Sequence, residues 1–352
     1  MGRMGAALLE LVGPHVIRPE SRGAVHDAAR QAARDERDRL GATVSDYVCG
    51  RLTEAVLAVA EHRPLDEPDP PIDVDSEEVP MLPVPSCATT DIPTVARPSI
   101  ASLLLQPAFN GAPIGTATGF VTIGAGGVHL VTNWHVITGR RPDNGQPMNA
   151  QTGAVPDSII VNHHVVGQLG NWKQVTHPIY DADGRPLWLE HPVHGRNVDV
   201  VALPISPTFA EDHGVDFHPH QVTGPDHYKR PGTGRPLSIV GFPFGATGGG
   251  SLGIWIQGWI ATEPDLDFGG RPSFLIDART RPGQSGSPVI SYQDGGMMQN
   301  DDGGSTIFTG VYERLVGIYS GRLNEQSDLG FVWKASALAE ILAGQRRGTV
   351  GP

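Results

Sequence analysis

Short apolar segments separated by glycine, proline and asparagine occupy most of the chain after residue 98. Runs of this length, bounded by turn residues, are typical of β-strands. One group lies between residues 99 and 205: SIASLLLQP, GTATGFVTI, VHLVTNWHVI, DSIIVNHHVV and NVDVVALPI. A second group lies between residues 236 and 334: LSIVGFPFG, SLGIWIQGWIA, SFLIDA, SPVISY, RLVGIYSGR and GFVWK. The pattern predicts an all-β protein of two halves, with a helix over residues 335–343 after the last strand.

Residues 1–62 have a different pattern, rich in alanine, arginine and acids and without strand-like alternation. Helices are predicted over residues 22–40 and 45–61, and Ser45 can cap the second helix. One face of that helix carries apolar residues at helical spacing, namely Val48, Leu52, Val56 and Ala60. We expect a small helical N-terminal module, which is either an adaptor or oligomerisation domain that binds a protein partner or a helical extension packed on the rest of the chain.

Residues 63–98 are rich in proline and acids, as in RPLDEPDPPIDVDSEEVPMLPVPS. The segment has too few apolar residues and too many prolines to form a core, so an extended or disordered linker is predicted. It is either a plain spacer, a cleavage site or an inhibitory segment.

The charge limits the partners, because a formal net charge of −12 and a pI of about 5.5 repel phosphate backbones and anionic membranes. The sequence therefore predicts no nucleic-acid partner and no membrane association, and it has no apolar run of about 18 residues. Glu10 interrupts the only N-terminal apolar patch, which makes a poor signal peptide. We expect a cytoplasmic protein, in which Cys49 and Cys87 are consistent with a reducing compartment.

Residues 277–290, DARTRPGQSGSPVI, present Ser285 in a glycine-flanked loop before an apolar run. A serine that attacks a carbonyl needs backbone N–H groups directed at the oxyanion that forms. Gly283 can adopt the unusual backbone angles that this requires. The loop predicts Ser285 as a nucleophile, with the amides of Gly283 and Ser285 as the oxyanion hole.

Two upstream segments supply partners for this serine. The apolar run VHLVTNWHVI predicts a strand that ends in His135, and NVDVVALPI places Asp199 within an apolar strand. A carboxylate in such a run is costly unless a polar group satisfies it. An imidazole N–H would do so, and would leave the other ring nitrogen of His135 free to accept the proton of Ser285.

These segments together resemble the trypsin-like (chymotrypsin-fold) serine proteases, in particular the bacterial HtrA/Deg proteases and the staphylococcal glutamyl endopeptidases. TNWHV, VDVVAL and DARTRPGQSGSPV carry the resemblance in the order His, Asp, Ser. GTATGFVTI is similar to the strand before the histidine strand, and GIYSGR to the strand that lines the substrate cleft. The resemblance covers residues 99–345 and leaves residues 346–352 as a tail.

The resemblance implies two antiparallel six-stranded β-barrels, at about 99–205 and 236–334, with the active site between them and a C-terminal helix. It implies a serine endopeptidase that acts on protein or peptide substrates through a catalytic triad of His135, Asp199 and Ser285 and needs no cofactor. Where the animal enzymes have an aspartate that pairs with a freed amino terminus, this chain has Gln284. We therefore expect no activation by such a terminus.

The resemblance also implies which residues contact the substrate. They are Arg279 and Thr280 on one wall, and Tyr319, Ser320, Gly321 and Arg322 on the other. Thr280 is similar to a pocket threonine of the glutamyl endopeptidases, but their pocket histidine is replaced by Tyr319. The residue before the scissile bond, P1, is therefore expected to be acidic or, alternatively, small or aliphatic.

Other interpretations stay open at this point. The chain is either an active protease, a protease held silent by its N-terminal module and linker, or a non-catalytic module that captures extended peptides in the cleft by strand addition. The segments DHGVDFHPHQVTGPDH and HPVHGR are rich in histidine. Without cysteine or regular helical spacing they predict solvated loops, and we assign no metal to them.

Overall fold

The computed structural model describes residues 95–222, 230–300, 302–324 and 326–349. The predicted helical module at 1–62, the linker up to residue 94, both cysteines and His227 lie outside the described residues. The described chain is mostly β-structure, as predicted. Short helices occur at α1 (Arg97–Ala101), α2 (Trp134–Thr138) and α3 (Phe209–His213).

The first half is an antiparallel sheet of eight strands. They are β1 (Ser102–Phe109), β2 (Ala112–Pro113), β3 (Ala117–Gly124), β4 (Gly127–Thr132), β5 (Ser158–Val165), β6 (Gln168–Pro178), β7 (Val201–Pro204) and β8 (Val215–Asp216). Six of them pair in the order β6-β5-β1-β3-β4-β7, while β2 pairs with β1 and β8 with β5. The predicted six-stranded barrel is thus an eight-stranded sheet in this half.

The second half is a closed six-stranded barrel, in the order β10-β11-β14-β13-β12-β9. Its strands are β9 (Pro236–Gly241), β10 (Ile254–Ile260), β11 (Ser273–Ala278), β12 (Pro288–Gln299), β13 (Ser305–Arg322) and β14 (Leu329–Lys334). The C-terminal helix α4 (Ala335–Gly344) follows the last strand, as predicted.

Three local predictions were wrong. His135 lies in α2, because β4 ends at Thr132 and Gly139 ends the helix in the left-handed conformation with φ 63°. Asp199 precedes β7 by two residues, so it lies in an irregular segment where its carboxylate can meet the start of α2. Ser99 lies in α1, where Pro98 occupies the first turn and suits a helix start.

Three of the longer strands lie wholly or partly outside the predicted segments. β6 is exposed along most of its length and alternates too weakly for its sequence to indicate a strand. The hairpin of β12 and β13 continues well past SPVISY and RLVGIYSGR, and its outer part is rich in glycine and polar residues.

A buried apolar cluster joins the two halves and so positions the site between them. It brings Phe120 and Val131 of the first sheet against Val240 and Ile290 of the barrel, with Leu338 of α4 packed among them. Burying these apolar side chains where the two halves meet stabilises the position of one half relative to the other. Among the residues that the structure describes, no helix is both long and apolar enough to cross a membrane.

Candidate active site

The side chain of Asp199 binds His135 through both of its oxygens. The backbone N–H of His135 donates to Oδ1 at 2.9 Å, and the ring Nδ1 lies 2.7 Å from Oδ2. The backbone of the same segment is also held, since Asn133 Nδ2 donates to the carbonyl oxygen of Asp199 at 2.6 Å. The start of α2 and the irregular segment before β7 are therefore fixed to each other by three hydrogen bonds.

A residue from the barrel completes the surroundings of this carboxylate. The hydroxyl of Ser320 on β13 donates to Asp199 Oδ2 at 2.5 Å. Asp199 is 4% exposed, so its charge would be costly without these donors. The carboxylate is thus bound by groups from both halves of the protein.

The pKa of His135 reflects two opposing causes. Burial lowers it, but the charge of Asp199 and the hydrogen bond to it outweigh burial and raise the pKa above 6.5. Because Nδ1 faces Asp199, Nε2 is the ring nitrogen left to exchange a proton with another group. The imidazole is therefore oriented and made more basic by the same carboxylate.

The loop of Ser285 requires glycine on both sides of the serine. Gly283 has φ 94°, and a Cβ there would lie 2.3 Å from the carbonyl oxygen of Phe242. Gly286 has φ 85°, and a Cβ there would lie 2.1 Å from the carbonyl oxygen of Thr118. Any other residue would both strain the backbone and collide with a neighbouring main chain.

Thr118 on β3 fixes this loop from the first sheet. Its hydroxyl donates to the carbonyl oxygen of Gly283 at 2.9 Å, and its N–H donates to that of Ser285 at 2.9 Å. Within the loop, the buried side chain of Gln284 accepts the N–H of Arg281 through Oε1 at 2.8 Å. Gln284 therefore holds the loop from inside the same segment and is not directed at a distant partner.

Two amides of the loop have no internal acceptor. Among the described residues, the N–H groups of Gly283 and Ser285 make no hydrogen bond, whereas that of Gln284 between them donates to Arg281. The Ser285 hydroxyl donates to the carbonyl oxygen of Ser320 at 3.0 Å, and no hydrogen bond joins it to His135. The loop thus presents two backbone N–H groups without an acceptor, beside a serine hydroxyl that is hydrogen-bonded to β13.

A cleft of about 500 Å³ contains these groups. The side chains of His135, Asp199 and Ser285 all contribute to its lining, so the structure brings the three predicted residues together. It also places there three of the predicted substrate contacts, Ser320, Gly321 and Arg322.

The other predicted contacts lie apart from this lining. Arg279 is exposed, whereas Thr280 and Tyr319 are buried at 0% and 2% exposure. The hydroxyl oxygens of Thr280 and Tyr319 are 2.5 Å apart, within hydrogen-bond distance of each other. Arg271, Phe331 and Trp333, which were not predicted, add to the cleft wall.

The sequence did not reveal the supporting residues. Thr118 lies in the segment GTATGFVTI, whose similarity to a family strand indicates a strand but not a loop contact. The same holds for Ser320, which was predicted as a substrate contact and whose hydroxyl also donates to Asp199.

The histidine-rich segments were predicted as solvated loops, but His191 and His220 are buried at 1% exposure each. His220 is buried with Nδ1 3.0 Å from Glu313 Oε1, and His191 Nε2 lies 3.1 Å from Glu340 Oε2. Across the residues that the structure describes, no group of three or more His, Cys, Asp or Glu side chains could hold a metal ion.

Several solved protease structures are similar to the chain. They include the active form of the Rv3671c protease of Mycobacterium tuberculosis, with 18% identity and a TM-score of 0.39 over 72% of this chain and 83% of that one. Its inactive form has 19% identity and a TM-score of 0.37 over 70% and 88%. A serine endoprotease of Yersinia pestis has 16% identity and a TM-score of 0.40 over 72% and 67%.

No curated protein matches the sequence. The sequence model of the family described as a trypsin-like peptidase domain matches residues 117–298. This span is more than half of the 352 residues and includes β3 to β12, with His135, Asp199 and Ser285. The chain therefore belongs to the trypsin-like peptidase family.

Proposed function

We propose that the protein is a serine endopeptidase with Ser285 as nucleophile, His135 as general base and acid, and Asp199 as the residue that orients His135. The observation that carries the proposal is the two-point contact between Asp199 and His135 in the cleft that also contains Ser285. Membership of the trypsin-like peptidase family supports the same reaction class.

The first step is attack on the scissile carbonyl carbon. Ser285 Oγ turns from the Ser320 carbonyl to His135 Nε2, which takes its proton as the C–O bond forms. The carbonyl oxygen becomes an oxyanion, and the free N–H groups of Gly283 and Ser285 bind it. Asp199 stabilises the imidazolium that results.

The second half of the reaction reverses the proton path. The imidazolium gives its proton to the leaving amine as the C–N bond breaks, which leaves an acyl-enzyme on Ser285. A water then attacks the ester carbon and gives its proton to His135, and the proton returns to Ser285 as the acid product departs. Every group in this cycle is supplied by the chain and water.

The substrate is proposed to bind as an extended strand against β13. The Ser320 carbonyl, which accepts the Ser285 hydroxyl at 3.0 Å, would accept the N–H of the substrate instead. Substrate binding would thereby displace the Ser285 hydroxyl toward His135.

A fluorescent fluorophosphonate probe tests the proposal, because it reacts with activated serines. Wild-type protein is expected to be labelled, and Ser285→Ala and His135→Ala are expected to lose labelling while keeping their thermal unfolding transition. Hydrolysis of a casein substrate should fall by about 10⁶-fold in Ser285→Ala. Folded wild-type protein that neither labels nor cleaves would contradict the proposal.

The proposed oxyanion hole has its own test in two threonines of β3. Thr118→Val removes the hydroxyl that holds the Gly283 carbonyl, and kcat should fall by roughly tenfold to a hundredfold. Thr122→Val is the matched control, since its buried hydroxyl donates to the carbonyl oxygen of His220 at 2.8 Å, outside the loop. Equal loss of kcat in both variants would contradict a specific role of Thr118.

Regulation by residues 1–62 and the linker is also proposed, on the basis of an N-terminal segment of different composition and of Gln284 in place of the family aspartate. Removal of residues 1–94 is expected to raise the cleavage rate. Equal rates for the shortened and full-length proteins, with and without cell extract, would contradict it.

A further inference from the structure

Two segments lie beside Ser285: residues 279–283 precede it in the chain, and residues 319–322 are placed next to it by the hydrogen bond from its hydroxyl to the Ser320 carbonyl. The acyl carbon of a substrate must lie against Ser285 Oγ, so its P1 side chain points between these segments. In this chain the space between them is crossed by a side chain, that of Tyr319.

Tyr319 is held in this position from both ends. Its N–H donates to the carbonyl oxygen of Ser287 at 2.9 Å, and its own carbonyl accepts the N–H of Gly286 at 2.9 Å. At the far end of the ring, its hydroxyl oxygen lies 2.5 Å from Thr280 Oγ1. The ring therefore spans from β13 to the segment that precedes the nucleophile.

Gly330 on β14 provides the room for the ring. A Cβ at that position would lie 2.6 Å from Cε2 of Tyr319 and 3.4 Å from its hydroxyl oxygen. The tyrosine packs in the same buried cluster as Val332 and Ile276 and is 2% exposed. A ring fixed by its hydroxyl contact and buried in this cluster, on a backbone that is itself hydrogen-bonded, cannot swing aside without loss of packing.

We propose, on the basis of the proposed endopeptidase function, that Tyr319 is the specificity-determining residue of this enzyme. Its ring fills the base of the primary pocket and leaves room only for a small P1 residue such as alanine or serine. The sequence left open an acidic P1 or a small or aliphatic one, and this proposal narrows the choice to small residues.

The hydroxyl of Tyr319 has a supporting role in this arrangement. It fixes the far edge of the ring to Thr280. Each hydroxyl group has the other as its partner, in a site with almost no solvent exposure. An acidic P1 residue would have to break this contact and bring a carboxylate into a buried space. The geometry therefore disfavours acidic P1 residues as well as large ones.

Peptide substrates that differ only at P1 test the proposal in the full-length protein. Wild type is expected to hydrolyse P1 alanine with a kcat/KM at least tenfold above P1 leucine, phenylalanine or glutamate. Tyr319→Ala should reverse the order and prefer leucine. Tyr319→Phe keeps the ring and should keep the wild-type order, and Tyr312→Ala on the same strand is the control for loss of a buried tyrosine.

Binding to the Ser285→Ala protein separates this proposal from the proposed function, because it needs no catalysis. Product peptides that end in alanine should bind with a Kd at least tenfold below those that end in leucine, and adding Tyr319→Ala should reverse this. Fluorophosphonate labelling reports the nucleophile independently. A preference for glutamate that Tyr319→Phe abolishes, or equal use of alanine and leucine by wild type, would overturn the proposal.

Discussion

Two pairs of buried side chains in the first half, His135 with Asp199 and His163 with His177, shift the pKa of their histidines in opposite directions. His135 faces a carboxylate, and its pKa stands above 6.5 although burial lowers it. His163 and His177 face each other, with their Nε2 atoms 2.9 Å apart between β5 and β6. Burial, with repulsion from neighbouring histidines, lowers the pKa of His163 to about 3 and that of His177 to about 4.

The difference shows that burial alone does not decide how a histidine behaves. Both environments exclude water, and only the pair with Asp199 has a negative charge to offset the cost of an imidazolium. The His163–His177 pair is surrounded by Phe209, Phe217 and further histidines, so it stays neutral and serves packing. One pair is suited to proton transfer and the other to a stable core.

The largest expected effect comes from removing the charge that distinguishes the pairs. Asp199→Asn should lower kcat by about 10⁴-fold, because the amide no longer favours the required tautomer of His135. The pKa of His135 should fall below 6.5, since burial is then unopposed. Cleavage assays and an NMR titration of the His135 ring measure both effects.

Ser285→Ala is the control for this prediction. It should abolish turnover and leave the pKa of His135 above 6.5. A His135 pKa that stays above 6.5 in Asp199→Asn would refute the assigned cause.

The second prediction concerns stability in acid. The folded pKa values of His163 and His177 lie below the unfolded value, so their contribution is present above pH 6.5 and is lost as the pH falls toward 4. If both pick up protons on unfolding, the free energy of unfolding drops by about 2.4 kcal/mol between pH 6 and 5. Urea unfolding at several pH values measures this slope.

His177→Phe sharpens the test. The phenyl ring keeps the stacking on Phe209, whose centroid is 4.5 Å away, and removes one titrating group. The slope should become shallower by about 1.4 kcal/mol per pH unit, while unfolding at pH 8 corrects for any change in packing. An unchanged slope would show that His177 does not titrate on unfolding.

The smallest effect is expected from the hydroxyl donor to Asp199. Ser320→Ala removes the 2.5 Å hydrogen bond to Oδ2 and should lower kcat by roughly tenfold. Ser102→Ala is the matched control, because its buried hydroxyl donates to the Val240 carbonyl at 2.9 Å, away from the cleft. Similar kcat values for wild type and Ser320→Ala would contradict this role.

The sequence predicted the fold class better than it predicted the individual strands. Alternating apolar runs and turn residues indicated β-structure, and the barrel and C-terminal helix follow that pattern. The first sheet departs from it because β6 is exposed and polar, so burial does not mark it in the sequence. The helix of His135 was missed because the apolar run of β4 continues through Trp134 and Val136, which are buried from a helix as they would be from a strand.

In the candidate site, too, features within one segment could be predicted, whereas contacts between distant segments could not. Ser285 and its glycines are neighbours in sequence, so local backbone geometry was predictable. The contacts of Thr118 with residues 283 and 285 join positions far apart in the chain, and they depend on how the halves pack. The role proposed for the Tyr319 ring likewise could not be predicted, because it depends on where Gly330 and Thr280 lie in the folded chain.

The hydrogen bonds from Thr118 to the nucleophile loop also have a consequence for synthesis of the protein. The ribosome delivers Thr118, His135 and Asp199 first, and Ser285 emerges after β9 to β11 but before β12 to β14, the three strands that close the barrel. Until β3 contacts this loop, the side chain of Ser285 has no fixed orientation, and the N–H groups of Gly283 and Ser285 are not directed at one point. The proposed catalytic residues of a growing chain can therefore come together only after all of the barrel strands have been synthesised.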